Sequence, residues 1–448
     1  MFPNEAFCFR WTQRLVRFQC VLACLSAAVW AAQPQLPPDV LLSQIRASMT
    51  ENLARLPDYT CVQSVERSHR DSSGRVLWSD RLRLQAGLAG GKVLFGWPEA
   101  GRFEERELGE TAGEGTISDG NFALDAHRIF LTEAPVLTYA GEETRSGRRA
   151  VRYDYRVALP KSLYRIRAGQ REATVGYRGS FWADKKTLDL VRLEVQAEEI
   201  SQQLAVSESF TSVDYARGRI GDSDFLLPEA SELAIKDLSG NVNLNRSRFG
   251  AFRKFTAEEV LSLQEAPAGG PAQGKSAAKI QLPAGLAFEI QLEKALDSSR
   301  AAVGDPLTGR VQGAVKQDGK VLIPKGALVS GRILRLLKRT TPVEYFVVSI
   351  AFTSLEAKGA RAEMVARLAA IGAYQDPSGP SQLATSNIYN PLPRETVAEL
   401  SHLSNRPYPI WEPGGEPGSL YIKGSRFQLP KDLRLGCKTE PIPEGRRR

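Results

Sequence analysis

The sequence predicts a mainly β protein: a curved antiparallel sheet wrapped on an N-terminal helix, followed by a smaller β-barrel or sandwich domain. Three observations predict this fold class. One apolar stripe near the start has helical spacing, many later segments alternate apolar and polar residues, and a Pro/Gly/Ala-rich stretch separates two such series. A hydrophobic content of 42% is typical of a folded globular chain. The N-terminal domain is therefore expected to be α+β and the C-terminal one all β.

Residues 1–32 have the pattern of a secretory signal peptide. Arg10, Arg14 and Arg17 precede an apolar run that ends at Ala32. The run is about 15 residues long, whereas a membrane-spanning helix needs roughly 20. We expect cleavage and no transmembrane segment afterwards, with a retained anchor or lipid attachment at Cys24 as alternatives. The protein is then exported and periplasmic or associated with the outer membrane of a bacterium.

Net charge and cysteine content limit which partners and which covalent links the protein is expected to have. The net charge is +8, spread over a large surface, with one tight cluster at 446–448 that is either a solvated end or a contact for anionic polymer or lipid. We expect no nucleic-acid partner. Only Cys61 and Cys437 lie outside the leader, and in an oxidising compartment they either pair or stay free.

The first domain is predicted over 38–260. Asp39 is placed to cap a helix that runs to Leu56 and stops at Pro57. Its apolar stripe comprises Leu42, Ile45, Met49, Leu53 and Leu56. A second helix is predicted within 119–131.

Alternation of apolar and polar residues predicts the strands that follow. The first pair meets at a turn, 71–74. The strand segments are one beginning at Tyr59, 76–85, 91–95, 102–108, 149–158, 172–182, 188–198, 207–215 and 232–236.

The segment 179–185 (GSFWADK) followed by 188–194 (LDLVRLE) resembles a hairpin of the LolA/LolB-like periplasmic half-barrel proteins. The resemblance covers roughly the first domain. It implies a half-barrel whose concave apolar face can hold lipid acyl chains.

A linker is predicted over 261–279 and a second domain over 280–437. The second domain resembles the β-barrel of TrbI-type proteins of conjugative and type IV secretion channels. The resemblance lies in 282–285 (LPAG), 303–305 (VGD) and 321–326 (VLIPKG). It implies a barrel or sandwich module, not a channel. The Gly and Pro residues of these motifs are typical of turns.

Later segments of the second domain are less regular. Residues 374–418 are Pro-rich and form a long loop, ordered or not. A closing strand is expected over 420–429, and a fraying basic tail over 438–448.

The sequence contains no convincing catalytic motif. Residues 269–276 fit the phosphate-loop pattern, but a linker flanks them where a strand and a helix are needed, so we expect neither nucleotide nor cofactor. His69, His127 and His402 lack metal-chelating spacing, and no nucleophile elbow is present. We therefore predict no catalytic, cofactor-binding or metal-binding residues.

Two further sets of residues are expected to be structural rather than functional. Paired carboxylates are expected on solvated faces, because sequence neighbours on a strand point to opposite faces; they are Glu104–Glu105, Glu142–Glu143 and Glu198–Glu199. Several aromatic residues are expected to pack in cores or on sheet faces, with a binding groove as the alternative; they are Trp97, Tyr153, Tyr155, Phe181 and Trp182.

The resulting hypothesis is an exported, non-enzymatic envelope protein that binds an apolar ligand such as a lipid, or a partner protein. The alternatives are a secreted hydrolase with a dispersed active site, for which His127 is the residue to test, and a purely structural envelope component.

Overall fold

The structure of the protein is a computed structural model. It describes residues 36–90, 92–98, 103–104, 122–145, 147–168, 171–255, 280–341, 344–371, 409–410 and 419–442. The predicted signal peptide, Cys24, the linker with its phosphate-loop pattern and the arginines of the tail lie outside these residues. So does nearly all of 374–418.

Two helices lie in the described N-terminal part, α1 (Pro38–Arg55) and α2 (Phe122–Phe130). α1 buries Leu41, Ile45 and Met49 at helical spacing. Its cap differs from the prediction. The N-cap is Pro37 and no side chain caps the helix, while Asp39 lies in the first turn, where a carboxylate still favours the helix dipole.

The N-terminal sheet is antiparallel throughout and runs in the order β4–β3–β2–β1–β13–β12–β11–β10–β9–β6–β5. A separate hairpin pairs β7 with β8. The strands are β1 (Tyr59–Arg70), β2 (Val76–Ala89), β3 (Lys92–Gly96), β4 (Phe103–Glu104), β5 (Val136–Arg145), β6 (Arg148–Val157), β7 (Arg165–Ala168), β8 (Arg171–Thr174), β9 (Gly176–Asp184), β10 (Leu190–Glu198), β11 (Val206–Ile220), β12 (Ser223–Asp237) and β13 (Val242–Lys254).

The predicted curved sheet on an N-terminal helix is confirmed, with corrections to individual strands. β5 and β13 are strands where the sequence indicated none. The segment 172–182 is two strands, because the chain breaks between β8 and β9, and β11 and β12 are longer than expected. Pairing with both neighbours extends these two strands beyond their alternating apolar residues.

One row of directly paired residues crosses the sheet, and such residues share a face. The row is Tyr153, Phe181, Leu193, Val213, Ser231, Ser247, Val65 and Leu82. Its first four members pack with Leu41, Ile45 and Met49 of α1 and with α2. We call this side the helix face and the opposite side the outer face.

The C-terminal strands close into a six-stranded barrel, β15–β17–β20–β21–β22–β26 and back to β15. The second domain is thus a barrel. Its described strands are β14 (Ile280–Gln281), β15 (Ala287–Leu292), β16 (Leu296–Asp297), β17 (Pro306–Val311), β18 (Val315–Gln317), β19 (Lys320–Ile323), β20 (Leu328–Arg339), β21 (Tyr345–Ala357), β22 (Ala360–Ile371), β23 (Pro409–Ile410), β24 (Ser419–Lys423), β25 (Gln428–Leu429) and β26 (Arg434–Glu440).

Apolar side chains fill the barrel. Ile290, Val329, Phe352 and Leu435 have no exposed surface. Cys437 lies in β26, which continues to Glu440, past the end at 437 that the sequence predicts. The continuation pairs with β22, a strand that alternation did not indicate. The predicted closing strand over 420–429 is interrupted between β24 and β25.

The sheet and the barrel are joined through β2. Trp78–Asp80 pair with Leu337–Arg339 of β20, so the edge of the sheet continues into the barrel wall. Backbone hydrogen bonds of 2.8 Å join Arg83 N to Val303 O and Val303 N to Arg81 O. The two modules therefore share a continuous hydrogen-bonded ladder.

Neither described helix has the length and apolar character needed to cross a bilayer.

Candidate functional site

A cleft of about 410 Å³ lies where the N-terminal sheet meets the C-terminal barrel. We call it the sheet–barrel cleft. Its lining is Glu66, Arg67, Ser68, Arg70, Val76, Ser79, Asp80, Arg81, Leu244, Arg246, Ser298, Ser299, Ala301, Leu336, Lys338, Phe346, Ser425 and Arg426. Ligand sites in proteins have volumes of roughly 300–1,000 Å³, so this cleft is large enough for a small molecule.

Strand register builds the sheet side of the cleft. Glu66 is paired with Arg81 on β2 and with Arg246 on β13, and Ser68 is paired with Ser79 and Leu244 in the same way. These residues alternate with Val65 and Arg67, so they lie on the outer face, whereas Arg67 and its partner Asp80 line the cleft from the other face of the same strands. The sheet thus presents charged groups, hydroxyls and one leucine to the cleft.

The barrel side combines an apolar floor with further cations. Leu336 and Phe346 are 4% and 6% exposed and belong to the barrel core. Lys338 follows on β20, and its Nζ lies 6.0 Å from the centroid of the Phe346 ring. Arg426 comes from the segment between β24 and β25. The cleft is therefore hydrocarbon at its base and basic around it.

The join between sheet and barrel fixes the two sides. Val303, Gly304 and Asp305 reach across to β2: Val303 bridges Leu82, and Asp305 forms an ion pair with Arg83. Gly304 has φ +95°, and a Cβ there would lie 2.3 Å from the Arg83 carbonyl oxygen and 2.6 Å from the Trp97 ring. The sequence motif at 303–305 therefore packs the barrel against β2.

Other polar contacts cross the same junction. The Thr340 hydroxyl donates to the carbonyls of Val76 and Leu77, and the Arg81 guanidinium donates to the Ser299 carbonyl. These bonds hold the cleft walls in register, so the site is pre-formed.

Positive charge dominates the lining. Six of its residues are Arg or Lys and two are acidic. Arg67 and Asp80 form a buried, two-pronged ion pair with an Nε–Oδ1 distance of 2.8 Å. Arg81 Nε lies 3.5 Å from Glu66 Oε1. The remaining cations leave an excess of positive charge that attracts anions.

The two described histidines lie on different elements, His69 on β1 and His127 on α2. His69 stacks on Trp78 with ring centroids 5.8 Å apart, and its Nδ1 lies 3.0 Å from Asn243 Oδ1. His127 is exposed on α2, and His402 lies outside the described residues. Within the described ranges no group of three metal-ligating side chains is brought together.

The two cysteines are free thiols in separate cores. Cys61 packs beneath the N-terminal sheet and Cys437 in the barrel. Burial raises the pKa of each thiol to about 12, so both stay protonated at neutral pH. The alternative of a disulfide between them is not realised in this structure.

The paired carboxylates hold surface cations where they are described. Glu142 accepts hydrogen bonds from Lys185 at 2.5 Å and Arg149 at 2.9 Å, and Glu198 contacts Arg156 at 2.7 Å. Glu105 lies outside the described residues.

The singled-out aromatic residues divide between the two faces. Tyr153, Tyr155 and Phe181 lie in the core under the helices, and Phe181 is fully buried. Trp182 lies on the outer face with the guanidinium of Arg145 4.1 Å from its ring centroid. Trp97 packs at the junction and does not line the cleft.

The helix face carries the apolar side chains that the family resemblance implies, and α1 and α2 cover them. Ile45 and Leu193 have no exposed surface. Towards β13 and β1 the face turns polar and stays buried, with Gln63 Nε2 donating to Ser247 Oγ at 3.2 Å. The described part of this face is thus packed rather than open.

Sequence reasoning missed the cleft residues. Arg70 and Arg81 lie in the predicted β1–β2 hairpin, and only the pairing of β2 with β20 brings Lys338 to them. The one available signal was the 303–305 motif, which marks the place where the barrel docks.

No family model matches the sequence, and no curated protein matches it significantly. Several solved structures resemble part of the chain. They include a DUF1329 family protein from Desulfovibrio piger (11% identity, 50% of this chain and 95% of that one, TM-score 0.29). Another is a putative outer membrane lipoprotein-sorting protein domain from Vibrio parahaemolyticus (12%, 48% and 92%, TM-score 0.28). A third is a LolA superfamily protein from Nitrosomonas europaea (11%, 50% and 95%, TM-score 0.27).

At these identities and TM-scores a shared activity does not follow. The likeness to TrbI-type barrels remains a prediction from the sequence motifs.

Proposed function

We propose that the protein is an exported, non-catalytic envelope protein that binds a lipid-like small molecule in the sheet–barrel cleft. The observation that carries the proposal is the cleft itself, a pre-formed space of about 410 Å³ with walls from both modules. Such sites at the meeting of two modules are common places for ligands.

The lining supports binding rather than bond-breaking chemistry. Arginine stays protonated in proteins, so it holds ligands but does not act as a general base. Asp80 is committed to Arg67, and Glu66 lies beside Arg81. The half-buried side chains of Val76 and Leu244, with the small exposed edges of Leu336 and Phe346, give the hydrocarbon part of a lipid-like ligand a surface to cover.

Export remains part of the proposal and is supported by the charge and hydropathy pattern of residues 1–32. We expect a periplasmic or outer-membrane-associated product, which fractionation with mass determination of the N-terminus will test. An uncleaved product in the cytoplasm would contradict it.

Filling the cleft tests the location of the site. Ser425 is exposed and lines the cleft, so Ser425→Trp adds bulk without changing charge. We expect this variant to bind octyl phosphate at least tenfold more weakly than the wild type by isothermal titration calorimetry. Ser223→Trp, an exposed position on β12 away from the cleft, is the matched control and should bind normally.

Two results would overturn the proposal. One is unchanged octyl phosphate binding by Ser425→Trp. The other is no binding of octyl phosphate, 1-octanol or octylammonium by the wild type, which would favour the purely structural component.

A further inference from the structure

The cations of the sheet–barrel cleft differ in how far the protein itself neutralises them. Arg67 pairs with Asp80, and Arg81 with Glu66. Outside the lining, Glu232 contacts Arg246 at 2.8 Å, and Glu344 contacts Lys338 at 3.0 Å. Four of the six cations therefore have a carboxylate partner.

Arg70 has no such partner among the described residues. It ends β1, and its Nε is buried without a hydrogen-bond acceptor. Asp71 follows directly, but its carboxylate is occupied by the turn: it accepts from the backbone N–H groups of Ser73 and Arg75, both at 3.0 Å. A buried, unpaired guanidinium N–H is costly unless an acceptor reaches it.

Arg426 is the second cation without a carboxylate in ion-pair range in the described part of the chain. Asp297 lies within electrostatic reach of it but is not part of the lining. The Asp297 carboxylate accepts from the Ser299 backbone N–H at 2.8 Å, and this hydrogen bond, more than the arginine charges, lowers its pKa. Arg426 therefore keeps donors for a ligand.

We propose that Arg70 and Arg426 bind an oxyanion, a phosphate or carboxylate group, that forms one end of the ligand whose apolar part covers Leu336 and Phe346. The inference rests on the proposed function, since it concerns the same cleft. Guanidinium groups match the geometry of phosphate and carboxylate through two parallel hydrogen bonds. The hydroxyls of Ser68, Ser79 and Ser425 line the same space and offer further donors.

The chemistry excludes other ligand classes. A cationic amphiphile would be repelled by the charges of Arg70 and Arg426, and a neutral one would leave those two guanidinium groups without a counter-ion. A free phosphate would satisfy the arginines but leave the apolar floor uncovered. An anionic amphiphile alone matches both halves of the lining.

A ligand series of one chain length tests the proposal on the full mature chain. We expect octyl phosphate to bind the wild type at least tenfold more tightly than 1-octanol, and octylammonium to bind most weakly, by isothermal titration calorimetry at fixed ionic strength. In Arg70→Gln and Arg426→Gln the preference for octyl phosphate should fall about tenfold, while binding of 1-octanol stays unchanged.

Two arginines serve as matched controls. Arg300 is exposed in the turn between the cleft residues Ser299 and Ala301, and Arg148 is exposed on β6. Neither lines the cleft, so Arg300→Gln and Arg148→Gln should leave the preference intact.

The outcomes separate the two proposals. Equal binding of octyl phosphate and 1-octanol that Ser425→Trp weakens would overturn the oxyanion inference and leave the cleft as the ligand site. A preference for octyl phosphate that Arg70→Gln and Arg426→Gln do not alter would also overturn it. Inorganic phosphate binding as tightly as octyl phosphate would contradict the amphiphile and identify free phosphate as the ligand.

Discussion

The two faces of the N-terminal sheet are built from the same strands but are stabilised differently, one by apolar packing and the other by ion pairs. The helix face packs Tyr153, Phe181 and Leu193 against α1. The outer face carries charges that neutralise one another. Arg192, for example, contacts Glu194 at 2.7 Å and Asp214 at 2.9 Å. Where β2 joins the barrel this balance fails: among the described residues, the Arg70 and Arg426 side chains of the sheet–barrel cleft have no carboxylate in ion-pair range.

The ligand site is therefore expected where neither packing nor ion pairs satisfy the side chains of the sheet. A packed face stabilises the fold, and opening it for a ligand costs its packing. A self-neutralised charged face has little affinity for ions. Within the described residues, the sheet–barrel cleft combines apolar surface, available hydrogen-bond donors and space.

The largest contrast is expected in stability. Phe181→Ala on the helix face should lower the free energy of unfolding by about 3–5 kcal/mol, because it leaves a cavity in a fully buried core. Arg178→Ala on the outer face should change it by less than about 1 kcal/mol. Urea denaturation measures both. A small loss for Phe181→Ala would show that the helix face is loosely packed and reopen it as a ligand site.

The next contrast concerns the junction. Gly304→Ala combines a positive φ with a Cβ 2.3 Å from the Arg83 carbonyl oxygen, so we expect a loss of about 2–3 kcal/mol and weaker octyl phosphate binding. Gly326 has φ +79°, and a Cβ added there would have no atom within 4 Å. Gly326→Ala should therefore cost only about 1 kcal/mol and leave binding unchanged. Equal effects of the two variants would mean that the junction does not shape the cleft.

The smallest effect concerns the charge balance of the sheet edge. The hydrogen bond from Lys185 lowers the pKa of Glu142 below its usual 4.5, and the charges of Lys185 and Arg149 act in the same direction against burial. The carboxylate therefore stabilises the fold above pH 4.5, and this contribution is lost as the pH falls through the lowered pKa.

The contribution of the Glu142 carboxylate to stability is measured by comparing urea denaturation of the wild type and Glu142→Gln from about pH 7 to about pH 3. We expect a difference in unfolding free energy of about 0.5 kcal/mol at about pH 7, shrinking below about pH 4.5. A difference that stays constant down to pH 3 would contradict this assignment.

Much of the fold follows from local patterns in the sequence. The stripe around Ile45 and Met49 predicts α1, and period-two alternation predicts most strands. The sequence did not indicate β5, because both of its faces are largely exposed and no alternation of apolar residues marks the strand. The sequence did not indicate β13 for a related reason: its buried positions include the polar residues Asn245 and Ser247, so apolar residues do not alternate along it.

The candidate site could not be predicted in the same way. Arg70, Lys338 and Arg426 are far apart in the chain, and each alone is typical of an exposed strand end or turn. What unites them is the pairing of β2 with β20, which carries no local sequence signal. The 303–305 motif indicated a turn, and its second property, docking on Arg83 and Trp97, emerges only from the packed structure.

A crystal structure of the mature protein with octyl phosphate would decide whether the ligand lies in the sheet–barrel cleft or under the helices. We expect the phosphate group against Arg70 and Arg426 in the sheet–barrel cleft, the octyl chain over Leu336 and Phe346, and α1 in its present position. An octyl chain under a displaced α1, with the cleft unchanged, would contradict this expectation and assign ligand binding to the helix face.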